Sequence, residues 1–371
     1  MPLELPSLPP LPSLPLPSLL LLLPPLLLLP LLLLRSSSSR MSPGRFGVLP
    51  AFMRITGHLA PAGFGSLLRV APSFSASGLP STAAASAVPS CELLSAAPLS
   101  SGGAATCVYT VPAHLAPNGG LPLPVLLSLF DDVSTWPCVV CDPSRRPGVS
   151  VHLSASLLSP SLPIPPGARL RITAKPAKLG RTLAFLDIEC EDLATDPPTP
   201  VAVGRHTKYL PMGFFYEFLF GRALPLLDLL APYVGRFGAP NLAAASRASY
   251  PPLASVIGPL PASPVPGEPL AKRASCRVGR EMRNPMGGLH GGCQSVMAAA
   301  VAAKAVGAAA GGRGARLREM SVAYASAGRG ELEITARIRE EGEGAVTSVV
   351  RLDRKGGGAM CAEATLTYDL L

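Results

Sequence analysis

Residues 331–339 read Glu-Leu-Glu-Ile-Thr-Ala-Arg-Ile-Arg, apolar and polar side chains alternating for nine positions. That two-residue period marks a strand with one face buried and the other in water. A shorter alternation runs through 168–173, Ala-Arg-Leu-Arg-Ile-Thr. The order of segments around these strands constrains the fold more than either strand does alone. Strand-like segments at 92–98 and 106–110 precede an apolar helical segment at 121–133, and further strands are expected at 149–158, 168–174, 181–190 and 201–209. In the last hundred residues the order returns. An alanine-rich helix over 293–310 ends at Gly311-Gly312, and strands follow near 317–325, 331–339, 345–352 and 360–368. One apolar helix followed by four period-two strands, twice in a chain, predicts an α+β fold built by internal duplication.

The remaining sequence divides around these two repeats, expected at 91–211 and 272–371. The chain has 44 prolines in 371 residues, well above the usual ~5%, and the excess lies outside the periodic segments. Between the repeats, 214–234 has helix-like apolar spacing and 239–269 is rich in Pro, Ala and Ser. Residues 212–271 therefore read as a helical connector and a flexible linker. At the start, the leucine tract at 19–34 is broken by Pro24, Pro25 and Pro30. A spanning helix needs ~20 uninterrupted apolar residues, so no integral membrane span is expected. Glu4 stands where a secretory signal would be positive. From Met41 onward Arg45, Arg54, His58 and Arg69 appear with no acid before Glu92. Residues 1–90 thus read as a low-complexity and targeting-like extension, mitochondrial or, as the alternative, plastid, with Met41 a candidate start.

The formal net charge is +9, and about half of it belongs to this extension. No basic face with interleaved aromatics is visible, which excludes a nucleic-acid partner; the remainder suits a groove for an anionic ligand. Eight cysteines lie without regular spacing, and Cys138-x-x-Cys141 has no second pair to complete a zinc site. The histidines at 58, 114, 152, 206 and 290 lack ligand spacing as well. No metal is expected.

The chemistry concentrates at Asn284-Pro285-Met286-Gly287-Gly288-Leu289-His290-Gly291-Gly292, which feeds the alanine-rich helix. A glycine-rich turn entering a helix leaves N–H groups unpaired at the positive end of the helix dipole, suited to a developing oxyanion. The pattern resembles the Asn-x-x-x-Gly-x-His-Gly-Gly element of hotdog-fold acyl-CoA thioesterases, in which an antiparallel sheet wraps a central helix. The first repeat is similar to the small members of that family from residue 93 to 210. The likeness is densest at Leu129-Phe130-Asp131-Asp132-Val133-Ser134-Thr135, Pro147-Gly148-Val149-Ser150-Val151, Gly180-Arg181-Thr182-Leu183-Ala184-Phe185 and Gly204-Arg205-His206-Thr207-Lys208.

The resemblance implies a role for each of these residues. Asp131 takes the place of the family's helical acid and acts as general base or as nucleophile. Ser150 holds the attacking water. The Gly291 N–H receives the thioester oxygen, while Asn284 and His290 orient the turn or touch substrate. Arg205, His206, Lys208, Lys178 and Arg181 form a basic rim for coenzyme A, with Gly292 at the helix entrance. No cofactor is implied beyond the CoA of the substrate. Each repeat also departs from the pattern. In the first, Pro122-Leu123-Pro124 replaces His-Gly-Gly; in the second, Ala299 stands for the acid and Leu317 for the serine. Family sites are shared between protomers, so two hotdog domains forming an intrachain pseudo-dimer would retain one composite site and lose the other. Asp131 and the Gly291 amide should then flank one thioester, about 6–8 Å apart. Two such chains can pair further as a homodimer. Two other readings are an inactive hotdog pair that binds acyl-CoA or a protein partner, and a hotdog dehydratase or hydratase.

Overall fold

The computed structural model describes residues 91–371 except 117, 159–162, 212, 214–259, 285, 343 and 357. The targeting-like extension and most of the expected connector lie outside the described residues. The first repeat runs β1 (Cys91–Ala96), β2 (Ala105–Thr110), α1 (Leu123–Val133), α2 (Thr135–Cys141), β3 (Val149–Leu157), β4 (Arg169–Leu179), β5 (Leu183–Asp192) and β6 (Thr199–Tyr209). The second runs β7 (Ser263–Val265), β8 (Glu268–Arg277), α3 (Gly291–Ala309), β9 (Ala315–Tyr324), β10 (Glu331–Glu341), β11 (Ala345–Arg354) and β12 (Met360–Leu370). Two differences from the sequence reading stand out. The short helix α2 continues the line of α1 after Ser134. The segment assigned to linker through 271 already contains β7 and the start of β8, because Ser263 and Pro264 pair back onto Arg273 and Lys272.

The twelve strands among the described residues form one antiparallel sheet in the order β1-β2-β4-β5-β6-β3-β9-β12-β11-β10-β8-β7. Read outward from the centre, the two halves follow the same sequence of strands. The halves join where β3 pairs with β9, with Leu153 opposite Val322, Ser154 opposite Ser321 and Ala155 opposite Met320. On the outer face of this seam His152 Nε2 and Ser321 Oγ are hydrogen-bonded at 2.8 Å. Leu153, Ala155, Met320 and Val322 are buried on the other face, against the helices.

The helices differ in how they fill that space. In α1 every residue but Asp132 is buried, as expected of a helix apolar on nearly all sides. In α3 a stripe of Cys293, Met297, Ala298, Val301, Ala302, Ala305 and Val306 is buried, while Ala303 and Lys304 face water. Both apolar stretches are long enough in composition to cross a membrane, but 83% of the Leu123–Cys141 window is buried inside the protein. They pack as core helices. The two meet at Gly292, where an added Cβ would lie 2.5 Å from both Cβ and Oγ of Ser128. Overpacking of this kind costs ~1–3 kcal/mol. Gly292→Ala is therefore expected to lower unfolding stability by about that amount in urea titration, and Gly307→Ala, whose added Cβ meets nothing within 4 Å, to hold or raise it, since alanine favours a helix.

Candidate active site

The turn before α3 is held by its own polar groups. Asn284 Oδ1 accepts from the N–H of Met286 at 3.0 Å and from that of Gly288 at 3.1 Å. Gly287 adopts the left-handed conformation, φ 78°, that the tight turn requires. His290 then caps the helix, its Nδ1 accepting from the Gly292 N–H at 3.0 Å. Its Nε2 lies 3.3 Å from Asp132 Oδ1. With Nδ1 an acceptor, the ring proton sits on Nε2 and is donated to Asp132. Gly291 is thereby presented at the first position of α3, and among the described residues no hydrogen bond uses its N–H.

Asp131, from the first repeat, packs directly on this glycine of the second. A Cβ at 291 would stand 2.7 Å from Asp131 Oδ2 and 3.3 Å from the Tyr324 hydroxyl. The carboxylate is thus closer to the turn than two hydrogen bonds in series, because α1 and α3 cross one residue further on. Its other oxygen, Oδ1, accepts from Ser150 Oγ at 2.8 Å. Ser150 pairs with Lys208 in the β3–β6 ladder, and both side chains face inward. Lys208 Nζ donates to Thr135 Oγ1 at 2.8 Å and is 3% exposed. Tyr324 donates to the Gly291 carbonyl at 3.2 Å.

Burial works to raise the pKa of Asp131, as its apolar helix suggests. Lys208, the imidazoles of His290 and His206, and the Ser150 hydrogen bond act the other way and prevail. The carboxyl is held below its ordinary value and is ionised. Burial and Lys208 depress His206 to about 3, against the pull of Asp131, so its imidazole is neutral. His206 Nδ1 contacts Ser134 Oγ at 2.6 Å, and that hydroxyl donates to the Phe130 carbonyl. Nδ1 therefore carries the proton. Nε2, buried and among the described residues without a hydrogen-bond partner, faces Asp131 Oδ1 at 3.7 Å. Two acceptors so placed suit a donor shared between them, such as a water. For His290 burial lowers the pKa, but Asp132 and Asp131 outweigh it and the net direction is upward. Burial, then Asp131, push the Tyr324 phenol up.

The site thus gathers Asp131, Ser150, Gly291, Asn284 and His290, as the sequence reading grouped them. The basic rim needs correction. His206 is 1% exposed and Lys208 is as deeply buried, because both occupy inward positions of β6 beside Asp131. Arg205 points to the outer face, where it lies 3.5 Å from Asp187. Lys178 and Arg181 are exposed at the β4–β5 hairpin, and the Arg181 carbonyl accepts from Arg146 at 3.1 Å. Gly292 serves the helix crossing and its N–H is used by His290. Asp132 and Tyr324 were not anticipated. Tyr324 lies at the end of β9, and only the pairing of β9 with β3 brings that strand to α1. Cys138 and Cys141 are pushed by burial to about 12 and about 11, consistent with packing rather than thiolate chemistry.

The equivalent crease on the other side of the seam is apolar. Ser150 pairs with Lys208 where Leu317 pairs with Tyr368. His206 faces Leu153 across its ladder where Leu366 faces Met320. Leu123, Leu366 and Tyr368 belong to the main apolar core, with Ala299 and Leu317 packed against it.

The family model "Acyl-CoA thioesterase N-terminal domain" matches residues 280–368. No curated protein matches the sequence. Among solved structures, zebrafish thioesterase superfamily member 2 is 32% identical, covering 33% of this chain and 82% of its own, with a TM-score of 0.29. The mouse thioesterase superfamily member 2 is 30% identical over 33% of this chain and 83% of its own, TM-score 0.28. A tesB protein of Mycobacterium avium subsp. paratuberculosis is 10% identical, covers 72% of this chain and 93% of its own, and has a TM-score of 0.50.

The His206 shift carries a stability consequence. Its folded pKa is depressed from an ordinary 6.5 to about 3. The unfolded chain therefore takes up the proton first. Stability linked to His206 is fully present above about 6.5 and is lost as pH falls from there toward about 3. The loss should reach the order of a few kcal/mol. His206→Gln should flatten that part of the stability–pH curve, measured by urea unfolding at a series of pH values.

Proposed function

Because the chain belongs to the hotdog-fold thioesterase superfamily, we propose that it hydrolyses acyl-CoA thioesters to free acid and CoA at one composite site between two hotdog repeats. The repeats act as an intrachain pseudo-dimer. The reading is carried by one observation: an ionised carboxylate of the first repeat lies against the glycine turn of the second. The repeated strand order and the coverage of most of this chain by a single tesB chain support the paired arrangement.

In this mechanism the thioester oxygen accepts a hydrogen bond from the Gly291 N–H at the N-terminus of α3. Negative charge grows there as the carbonyl carbon is attacked, so a fixed donor favours the transition state over the ground state. Glycine is needed because Asp131 and Tyr324 leave no room for a side chain. Asp131 is oriented through Oδ1 by Ser150, which leaves Oδ2 toward the turn. As general base it takes a proton from water while the water oxygen bonds to the carbonyl carbon. The tetrahedral intermediate then expels CoA thiolate, and the proton passes to the sulfur. A thiol of ordinary pKa near 8.5 leaves without a strong acid. Direct attack by Asp131 to form an anhydride, then hydrolysis, uses the same contacts.

Lys208 is a charge that keeps Asp131 ionised rather than a phosphate ligand. Recognition of CoA phosphates is assigned to exposed Lys178 and Arg181. The mitochondrial destination read from residues 1–90 fits a substrate of this class.

Asp131→Asn should reduce CoA release from acyl-CoAs of short, medium and long chain by at least about 10²-fold while leaving the fold intact by circular dichroism. A non-hydrolysable thioether analogue should bind with a stoichiometry of one per chain in calorimetry. Wild-type protein that binds the analogue but releases no CoA would favour the inactive binding pair.

A further inference from the structure

Asp132 follows the acid in sequence, and consecutive helical positions point about 100° apart. It therefore cannot share the task of Asp131, yet it too reaches across to the second repeat. Its Oδ1 lies 3.3 Å from His290 Nε2, and that ring is 7% exposed against 26% for the Asp132 side chain. We propose that Asp132 is a positioning residue for the reaction, holding the His290 ring that caps α3 and so fixing the direction of the Gly291 N–H.

The argument rests on where the hydrogens must go. The Gly292 N–H points at Nδ1, so Nδ1 must be a lone pair, and only Nε2 is left to carry the proton. Asp132 is the group that receives it. One carboxylate thus selects the tautomer that can cap the helix, and the cap ties His290 to Gly292 on either side of Gly291. The backbone that carries the ring is held as well, since the His290 main-chain N–H donates to the Met282 carbonyl at 2.9 Å. Among the described residues Asp132 Oδ2 is buried with no hydrogen-bond partner, so Oδ1 makes the side chain's contact with the second repeat.

The arrangement also has a built-in acid limit. A proton on Nδ1 would turn the acceptor into a donor facing the Gly292 N–H, and the cap would be lost. The charged groups around the ring are Asp132 and Asp131 on α1 and Lys208 on β6. The carboxylates favour that protonation and Lys208 opposes it, with the balance upward. Asp131 itself is held below its ordinary value. Activity on the acid side should therefore fall with His290 before Asp131 titrates. Replacing Asp132 by Asn keeps an oxygen acceptor but removes a charge, so the acid limb should move to lower pH.

This inference rests on the hydrolase reading, and its test separates the two. Asp132→Ala should lower kcat about tenfold with KM nearly unchanged, the size expected when a donor is retained but poorly aimed. Asp132→Asn should retain most of kcat at neutral pH and shift the acid limb of the kcat profile downward. The His290 ring, followed by nitrogen-labelled NMR of the full chain, should show the same downward move in Asp132→Asn whether or not any variant hydrolyses thioesters. A His290 titration unmoved by Asp132→Asn would overturn the proposal, as would wild-type kcat in Asp132→Ala. Absence of CoA release from the wild type, with the NMR shift present, would instead overturn the hydrolase reading alone.

Discussion

From His152 to Ser156 the backbone of β3 pairs with β9 from Ala323 to Glu319, and a ladder of that kind fixes register as well as proximity. A slip by one residue would turn Leu153 and Ala155 from the helix side to the outer face and expose the seam's apolar side chains. With the register set, the two half-sheets become one surface, and α1 and α3 have no place to lie except side by side beneath it. Their crossing at Gly292 and Ser128 then follows from contact distance. The meeting of Asp131 with Gly291 is a consequence of strand pairing more than twenty residues away in sequence from either.

That meeting would be costly if the carboxylate were merely buried. An ionised group in an apolar interior demands compensation from charges and hydrogen bonds. Here compensation comes from several directions: Ser150 on β3 by hydrogen bond, Lys208 on β6 by charge, and His290 from the turn. Most of these partners sit on strands of the first repeat, so its sheet readies the acid. The second repeat contributes the turn, preorganised by Asn284 and His290 before any ligand arrives. Such preorganisation is what makes a hydrogen-bond donor effective at a developing charge.

Much of this was legible in the sequence, for identifiable reasons. Period-two alternation marked β4 and β10, and the repeated order of segments announced the duplication. Asp131, Ser150 and the 284–292 turn were grouped because each carries local motif information. The misreadings fell where meaning depends on which face of a strand a residue occupies in three dimensions. His206 and Lys208 look like a basic run at the end of a domain, but alternation within β6 turns them inward, while Arg205, one position before His206, turns out. Asp132 drew no role from its local sequence because its partner, His290, lies 158 residues away. Tyr324 carried no local signal at all. The early β7 and β8 were hidden by prolines, one of which, Pro264, sits in an edge strand where its missing N–H does no harm.

The pattern of loss between the repeats can be argued further. On the proposed reading, each crease takes its acid from one repeat and its turn from the other. In one crease stand Asp131, Ser150, His206, Lys208 and Gly291; in the other, Ala299, Leu317, Leu366, Tyr368 and Leu123 occupy the equivalent positions. Loss scattered at random over two repeats would damage both creases. Here every apolar replacement falls in the same one, although those residues come from both halves of the sequence. The replaced crease joins the main core instead of surrounding a second buried carboxylate and lysine. A second polar cluster would have needed its own full set of partners, and an incomplete set is worse for stability than an apolar filling. An apolar filling therefore suits a crease that has neither the acid nor the glycine turn.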